Sequence, residues 1–211
     1  GAPAQGGFTI GLRVVQSAFL PVVALGFSGA PVAGQNFAAR KGDRVREAFK
    51  TAVAMAAAFM LLISLVMYFG AAAVMRIFTR DPEAIAVGVE YLRIVVVTFV
   101  PSGITFVSSS MFQALGNTMP PLATSTLRIL IAAIPAIFLA RVAGFHLTWI
   151  WYLGAVAVLL QMTLNLILLQ REFRLKLDMP RGARPEDAVS EAEPEGSPAA
   201  EPRSVGIITG E

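Results

Sequence analysis

One long apolar run, residues 86–115, carries uncharged polar side chains that could meet a ligand. They recur at about every fourth position, which places them on one face of a helix: Thr98, Ser102, Thr105 and Ser109. Pro101 and Gly103 lie beside them and predict a kink that frees backbone carbonyls. A polar, kinked face between helices is typical of a water-filled cavity or a substrate path. Small hydroxyl residues also permit close helix packing, so the pattern leaves both interpretations open.

Charged residues are few inside the apolar runs, where each costs about 2.5–3.5 kcal/mol on insertion scales. Glu90 and Arg93 fall near one end of their run, within reach of the membrane interface. Arg128 lies about two turns into the next run, and its long side chain could extend to the surface. It is either an anchor that sets topology or a contact for a substrate or an ion.

The sequence predicts no enzyme. Residues 26–29 read Gly-Phe-Ser-Gly, like the serine motif of rhomboid intramembrane proteases, but Ser28 would need a histidine on a neighbouring helix. The one histidine, His146, falls in a short loop. There is no cysteine, no metal-binding cluster and no phosphate-cradling Gly-Lys-Ser/Thr loop, so we expect no bound metal or organic cofactor.

The composition indicates a membrane protein. Of 211 residues, 55 % are hydrophobic and 15 % charged, and the mean hydropathy is +0.66. A helix needs about 20 mainly apolar residues to cross a bilayer core of roughly 30 Å. Five runs are long enough: residues 10–37, 51–78, 86–115, 122–143 and 147–169. We predict an all-α membrane fold with five transmembrane helices over residues 1–177.

The basic residues predict the orientation in the membrane. They follow the first and fifth runs: Arg40, Lys41, Arg44, Arg46 and Lys50, and then Arg171, Arg174 and Lys176. Because cytoplasmic loops retain lysine and arginine, both segments are expected on the cytoplasmic side of the plasma (inner) membrane. Charge at the ends of apolar runs, rather than on a polar face, argues against a nucleic-acid partner. Residues 178–211 have three arginines, eight acids and no apolar periodicity, which predicts a disordered cytoplasmic tail.

Four short motifs resemble those of multidrug and toxin extrusion (MATE) transporters. They are Leu20-Pro21 before glycines, Val32-Ala-Gly-Gln35-Asn36 before the basic loop, Gln113-Ala-Leu-Gly-Asn-Thr118 before a proline pair, and Arg128 followed by Ile134-Pro135. The resemblance extends from about Gly11 to Lys176. It implies helices eight to twelve of a twelve-helix, two-lobed transporter. The chain begins with Gly1 rather than Met, which we interpret as a truncation within a longer protein. The resemblance implies that this is the carboxy-terminal lobe and that its partner, the amino-terminal lobe, is missing together with helix seven.

The resemblance also implies export of drugs or organic cations through a central cavity, driven by antiport of protons or sodium ions. Some family members hold the coupling cation with an aspartate in the helix that corresponds to residues 91–115, but residues 97–102 here contain no acid. No coupling residue can therefore be carried over. The hypothesis for the cavity lining assigns neutral hydrogen bonds to Thr98, Ser102, Thr105 and Gln113, and apolar or cation–π contact to Phe99, Phe106 and Phe112.

Three alternatives remain open. A lipid or polyisoprenoid flippase of the same superfamily would need a cationic central cavity, which the sequence of this half does not offer. An intramembrane serine protease would depend on Ser28. A membrane scaffold without transport activity would tolerate changes along the polar face of residues 98–109.

Overall fold

The computed structural model describes residues 2–139 and 147–177, with side chains over 4–139 and 148–177. The helices are α1 (Ala2–Ala38), α2 (Gly42–Phe78), α3 (Pro82–Val95), α4 (Phe99–Ala114), α5 (Met119–Leu139) and α6 (Leu147–Leu177). Counting α3 and α4 as one broken span, five helices in these ranges are long and apolar enough to cross a membrane. The all-α, five-span prediction is confirmed. The predicted tail and residues 140–143 of the fourth predicted helix lie outside the described residues.

The helices extend beyond the apolar runs that predicted them. α1 begins at Ala2 rather than at residue 10, α2 begins at Gly42 rather than 51, and α6 continues to Leu177 rather than 169. Apolar length is set by the bilayer core, whereas a helix keeps its backbone hydrogen bonds after it leaves that core. An exposed ion pair lies in the added part of α2, where Arg44 Nη1 is 3.0 Å from Glu47 Oε2.

Two helices end with the same hydrogen-bond pattern. α1 is followed by Arg40 at φ 54° and α4 by Gly116 at φ 73°. In each case the amide of this left-handed residue donates to the carbonyl three residues back, and the next amide donates five residues back, to Asn36 or Phe112. This is the Schellman motif, which satisfies carbonyls that a helix end leaves unpaired. Two of the sequence motifs, Gln35-Asn36 and residues 113–118, therefore form helix carboxy-termini.

The span made of α3 and α4 begins with a capped turn, four residues before the apolar run, and breaks close to its predicted kink. Asp81 Oδ1 accepts hydrogen bonds from the amides of Glu83 at 2.9 Å and Ala84 at 3.4 Å, and Pro82 is the first helical residue. The break is a 3-10 turn at Val96–Thr98. Pro101 is the third residue of α4, where its missing amide N–H needs no helical partner.

Three further prolines do not break their helices. A proline inside a helix removes a backbone hydrogen bond, yet α1 is continuous through Pro21 and Pro31 and α5 through Pro135. Proline is tolerated inside membrane helices because neighbouring groups and local adjustment satisfy the carbonyl that it frees.

Packing differs between the two ends of the bundle. At the basic end, where the α1–α2 turn lies, Arg46 Cζ is 5.8 Å from the centroid of the Phe173 ring in α6. The two basic segments therefore lie at the same end, as their charges predict. At the opposite end the rings of Phe8, Tyr91 and Trp151 join α1, α3 and α6, with centroids 5.0–6.3 Å apart. Within its described range, α5 has a single buried residue, Thr124. This helix therefore packs less closely against the rest of the bundle than the other helices do.

Candidate functional site

A polar cavity of ≈ 370 Å³ opens between four helices. α4 contributes half of its lining, and α1, α5 and α6 contribute the rest. The lining residues are Phe19, Ser102, Thr105, Phe106, Ser109, Ser125, Arg128 and Gln161. The cavity therefore brings together three residues of the predicted lining, Ser102, Thr105 and Phe106, with Arg128 and four further residues.

Most hydroxyls of α4 are already hydrogen-bonded within the helix. Thr105 Oγ1 donates to the carbonyl of Pro101 at 2.8 Å, and Ser109 Oγ donates to the carbonyl of Thr105 at 2.9 Å. Ser108 and Ser110 donate in the same way to the carbonyls four residues before them. Among the described residues, none pairs with the hydroxyl of Ser102, which is partly exposed on the cavity wall. Ser102 can therefore donate a hydrogen bond to a bound molecule without breaking one in the protein.

The side chain of Asn165 in α6 connects helices that form the wall of the cavity. This side chain is fully buried. Nδ2 donates to Ser109 Oγ at 3.1 Å and to the carbonyl of Thr105 at 3.5 Å, and Oδ1 accepts from Thr124 Oγ1 at 2.7 Å. One amide thus links α4, α5 and α6. Because the bilayer core supplies no water, such interhelical hydrogen bonds satisfy polar groups that would otherwise be unpaired.

A second link lies one helical turn away on α6. Gln161 Nε2 donates to Ser125 Oγ at 3.1 Å, so α5 and α6 are joined twice along this face. Gln161 and Asn165 are four residues apart and share a face of the helix. Neither residue was among the predicted site residues, although two amides at this spacing in an apolar run indicate a polar helix face.

Arg128 provides the charge of the cavity. No acidic residue is among those that line it. In residues 4–139 and 148–177, Arg128 has no hydrogen bond or ion pair. The donors that face the cavity are therefore a guanidinium group and small hydroxyls, a set suited to oxygen acceptors.

The remaining predicted lining residues lie elsewhere. Thr98 Oγ1 donates to the carbonyl of Val95 within its own span. Phe99 is buried against Val22 and Met60, and Phe112 is fully buried at the basic end.

Gln113 is exposed near the end of α4. The motif residues serve the helices themselves, as where Asn36 Nδ2 donates to the carbonyl of Val32 at 2.8 Å. Pro101 is buried, and Pro135 lies within α5 on its partly buried side.

Of the two residues that the protease alternative requires, the structure describes Ser28. Ser28 Oγ donates to the carbonyl of Leu25 at 3.0 Å and is exposed. His146 lies outside the described residues. In the described part of the chain, no group of three or more His, Cys, Asp or Glu residues could hold a metal ion.

A second cavity lies between α1 and α2 and is mostly apolar. It has a volume of ≈ 440 Å³ and is lined by Arg13, Val14, Ser17, Ala18, Met67, Val74 and Phe78. It contains one charged residue and one hydroxyl, so it offers fewer directed hydrogen bonds than the polar cavity.

The chain matches one sequence family and the fold of several solved transporters. The family described as MatE matches residues 1–139. No curated protein matches the chain. One structure with a TM-score of 0.77 and 16 % identity is described as the outward-facing conformation of a multidrug resistance MATE family transporter of the MOP superfamily; the match covers 84 % of this chain and 40 % of that one.

Two other structures have the same fold. A MOP superfamily transporter from Pyrococcus furiosus Vc1 (DSM3638), described as having a binding pocket of reverse polarity that suggests a different function, matches with a TM-score of 0.74 and 17 % identity over 82 % of this chain and 39 % of its own. A MATE structure in complex with MaL6 matches with a TM-score of 0.75 and 17 % identity over 82 % and 40 %. The chain thus spans about two fifths of the length of these proteins. Since the family pattern covers most of it, the chain belongs to the MatE family.

Proposed function

We propose that the chain is the carboxy-terminal lobe of a transporter that exports drugs, organic cations among them, across the plasma membrane. Export is driven by antiport of protons or sodium ions. The substrate binds in the polar cavity, which this lobe shares with an amino-terminal lobe outside the present sequence. The basic end faces the cytoplasm, and the tail of residues 178–211 is cytoplasmic.

The observation that carries this proposal is the polar cavity, which opens at the surface between otherwise apolar helices. Phe106 and Phe19 form an apolar wall, with ring centroids 6.0 Å apart at 89°. Ser102 and Ser125 offer hydrogen bonds beside that wall. Apolar walls with a few directed polar groups are the usual composition of sites for small molecules. Membership of the MatE family supports transport as the activity.

We propose that the coupling ion binds outside the described residues. The acids of the described chain lie away from the polar cavity: Asp43, Glu47, Asp81, Glu83, Glu90 and Glu172. A hard cation such as sodium needs oxygen ligands, and proton antiport needs a titratable group on the path. The amino-terminal lobe is expected to supply that acid.

Transport of a lipid precursor is the second candidate, and Arg128 favours it. A flippase would hold the phosphate of its substrate with cationic groups. The sequence alone offered no cationic cavity, whereas the structure has Arg128 on the cavity wall. A structure with the same fold is described as having a binding pocket of reverse polarity that suggests a different function, which supports considering this candidate.

Drug efflux from cells that express the full-length protein tests the proposal. Ser102→Leu fills the cavity and removes its free hydroxyl, so we expect slower efflux at unchanged membrane abundance. Thr98→Leu is the matched control, since Thr98 lies four residues earlier and bonds within its own span. Equal efflux in wild type and Ser102→Leu would contradict the proposal, as would equal loss in both variants.

A further inference from the structure

Arg128 is an exposed charged group in the apolar helix α5, about 14 Å along the helix axis from its start at Met119 at 1.5 Å per residue. Its side chain lines the polar cavity, and none of the described residues neutralises it. Charged groups within membrane spans are unfavourable and usually mark a ligand or ion path.

The groups beside Arg128 add hydrogen-bond donors rather than a neutralising acid. Ser125 Oγ accepts from Gln161 Nε2, which leaves its O–H free to donate into the cavity. Ser102, across the cavity on α4, also retains its O–H. A guanidinium with two free hydroxyls forms a set of donors that matches an anionic oxygen group.

The apolar part of the same cavity wall indicates the chemistry of the rest of the ligand. Phe106 is in edge-to-face contact with Phe19 at 6.0 Å and with Phe27 at 5.9 Å between ring centroids. This aromatic surface stands next to the donor set and can cover an apolar body.

We propose that the polar cavity binds an amphipathic anion, with its carboxylate or phosphate group on Arg128, Ser102 and Ser125 and its apolar body on Phe106. This inference rests on the proposed function, because it names the substrate class of the same cavity. It differs from the expectation of organic cations. An ammonium group near Arg128 would be repelled, so a cation could use this wall with its apolar part alone.

Matched fluorescent probes test the proposal on the full-length protein in lipid nanodiscs. Four dansyl compounds share one alkyl chain and end in a carboxylate, a phosphate, an alcohol or an ammonium group. Binding is followed by dansyl emission with empty nanodiscs subtracted. We expect the wild type to bind an anionic probe more tightly than the alcohol and the ammonium probe. The carboxylate and phosphate arms distinguish the two anionic groups.

Substitution of Arg128 provides the decisive comparison. Arg128→Gln should lower the affinity for the anionic probe about ten- to hundredfold and leave the affinity for the alcohol probe unchanged. Arg128→Lys should restore part of the lost affinity. Arg76→Gln, in the last turn of α2 away from the cavity, should change neither. Thermal unfolding of each variant separates loss of binding from loss of fold.

Three results would overturn the inference. They are no preference of the wild type for an anion, equal weakening of all four probes by Arg128→Gln, and tighter binding of the ammonium probe than of the anions. Equal weakening would instead indicate that Arg128 supports the shape of the cavity and does not bind the anionic group. Drug efflux tests the proposed function separately: efflux that depends on Ser102 without anion selectivity would reject this inference and keep transport.

Discussion

Thr124 Oγ1 and Asn165 Oδ1 lie 2.7 Å apart, with both side chains buried between α5 and α6. Thr124 is the buried residue of the described part of α5, so this bond fixes the helix that carries Arg128. Through its Nδ2 the same amide also holds Ser109 of α4. Asn165 therefore supports the geometry of the polar cavity from two sides, and its removal should be measurable.

Asn165→Leu should destabilise the protein and weaken ligand binding together. The substitution leaves Thr124 and Ser109 without their interhelical partner, and we expect a loss of about 1–2 kcal/mol in the free energy of unfolding. The measurement is unfolding in detergent against denaturant. Thr163→Val is the control, since Thr163 is exposed and bonds to the carbonyl of Leu159 in its own helix. Equal stability of Asn165→Leu and Thr163→Val would contradict the assigned role.

Glu172→Gln should loosen the α4–α5 turn at the basic end. Glu172 Oε1 accepts from Asn117 Nδ2 at 3.0 Å and lies 2.9 Å from Lys176 Nζ, which also donates to the carbonyl of Leu115. The neutral amide of Gln cannot form the ion pair, and the groups that Glu172 contacts are largely buried. We therefore expect faster hydrogen exchange at residues 115–119.

The control for that substitution is Glu47→Gln. Its ion pair with Arg44 has side chains 68 % and 64 % exposed, and exposed pairs contribute little. Hydrogen exchange at residues 115–119 that is the same in Glu172→Gln and wild type would show that the turn does not need this carboxylate.

Two adjacent glycines should respond in opposite ways to alanine. A Cβ at Gly7 would overlap the carbonyl oxygen of Ala84, whereas a Cβ at Gly6 would meet no atom within 4 Å. Gly7→Ala should therefore separate α1 from α3 and lower the unfolding temperature. Gly6→Ala should leave it unchanged or raise it slightly, because alanine favours the helix by roughly 0.8–1.0 kcal/mol over glycine. Similar unfolding temperatures in the two variants would refute this close approach of α1 and α3.

The five spans were predictable from the sequence because apolar length is a local property. The start of α3 was predictable too, since Asp81 and Pro82 act within one turn. The helix ends were not, because residues beyond the apolar runs remain helical in water. The end of α1 was also not predictable, because Arg40 adopts a left-handed conformation that is uncommon for its residue type.

The choice of lining residues shows the limit of periodicity. Thr98, Ser102 and Thr105 share a face in a uniform helix, but Thr98 ends the 3-10 turn at Val96–Thr98 and its hydroxyl donates to the carbonyl of Val95. The cavity is lined by Ser102 and Thr105 and not by Thr98. The lining residues from α5 and α6 reach the cavity through tertiary packing, which cannot be predicted from any single apolar run.

Thiol labelling of Ser102→Cys in membranes tests the central claim, that the polar cavity is the substrate path. The chain contains no cysteine, so the introduced thiol is unique within it. We predict that a small methanethiosulfonate reagent labels Ser102→Cys, and that an exported drug slows this labelling. Ser108→Cys, at a fully buried position, should resist the reagent with or without drug. Labelling of Ser102→Cys at the same rate with saturating drug would contradict the account.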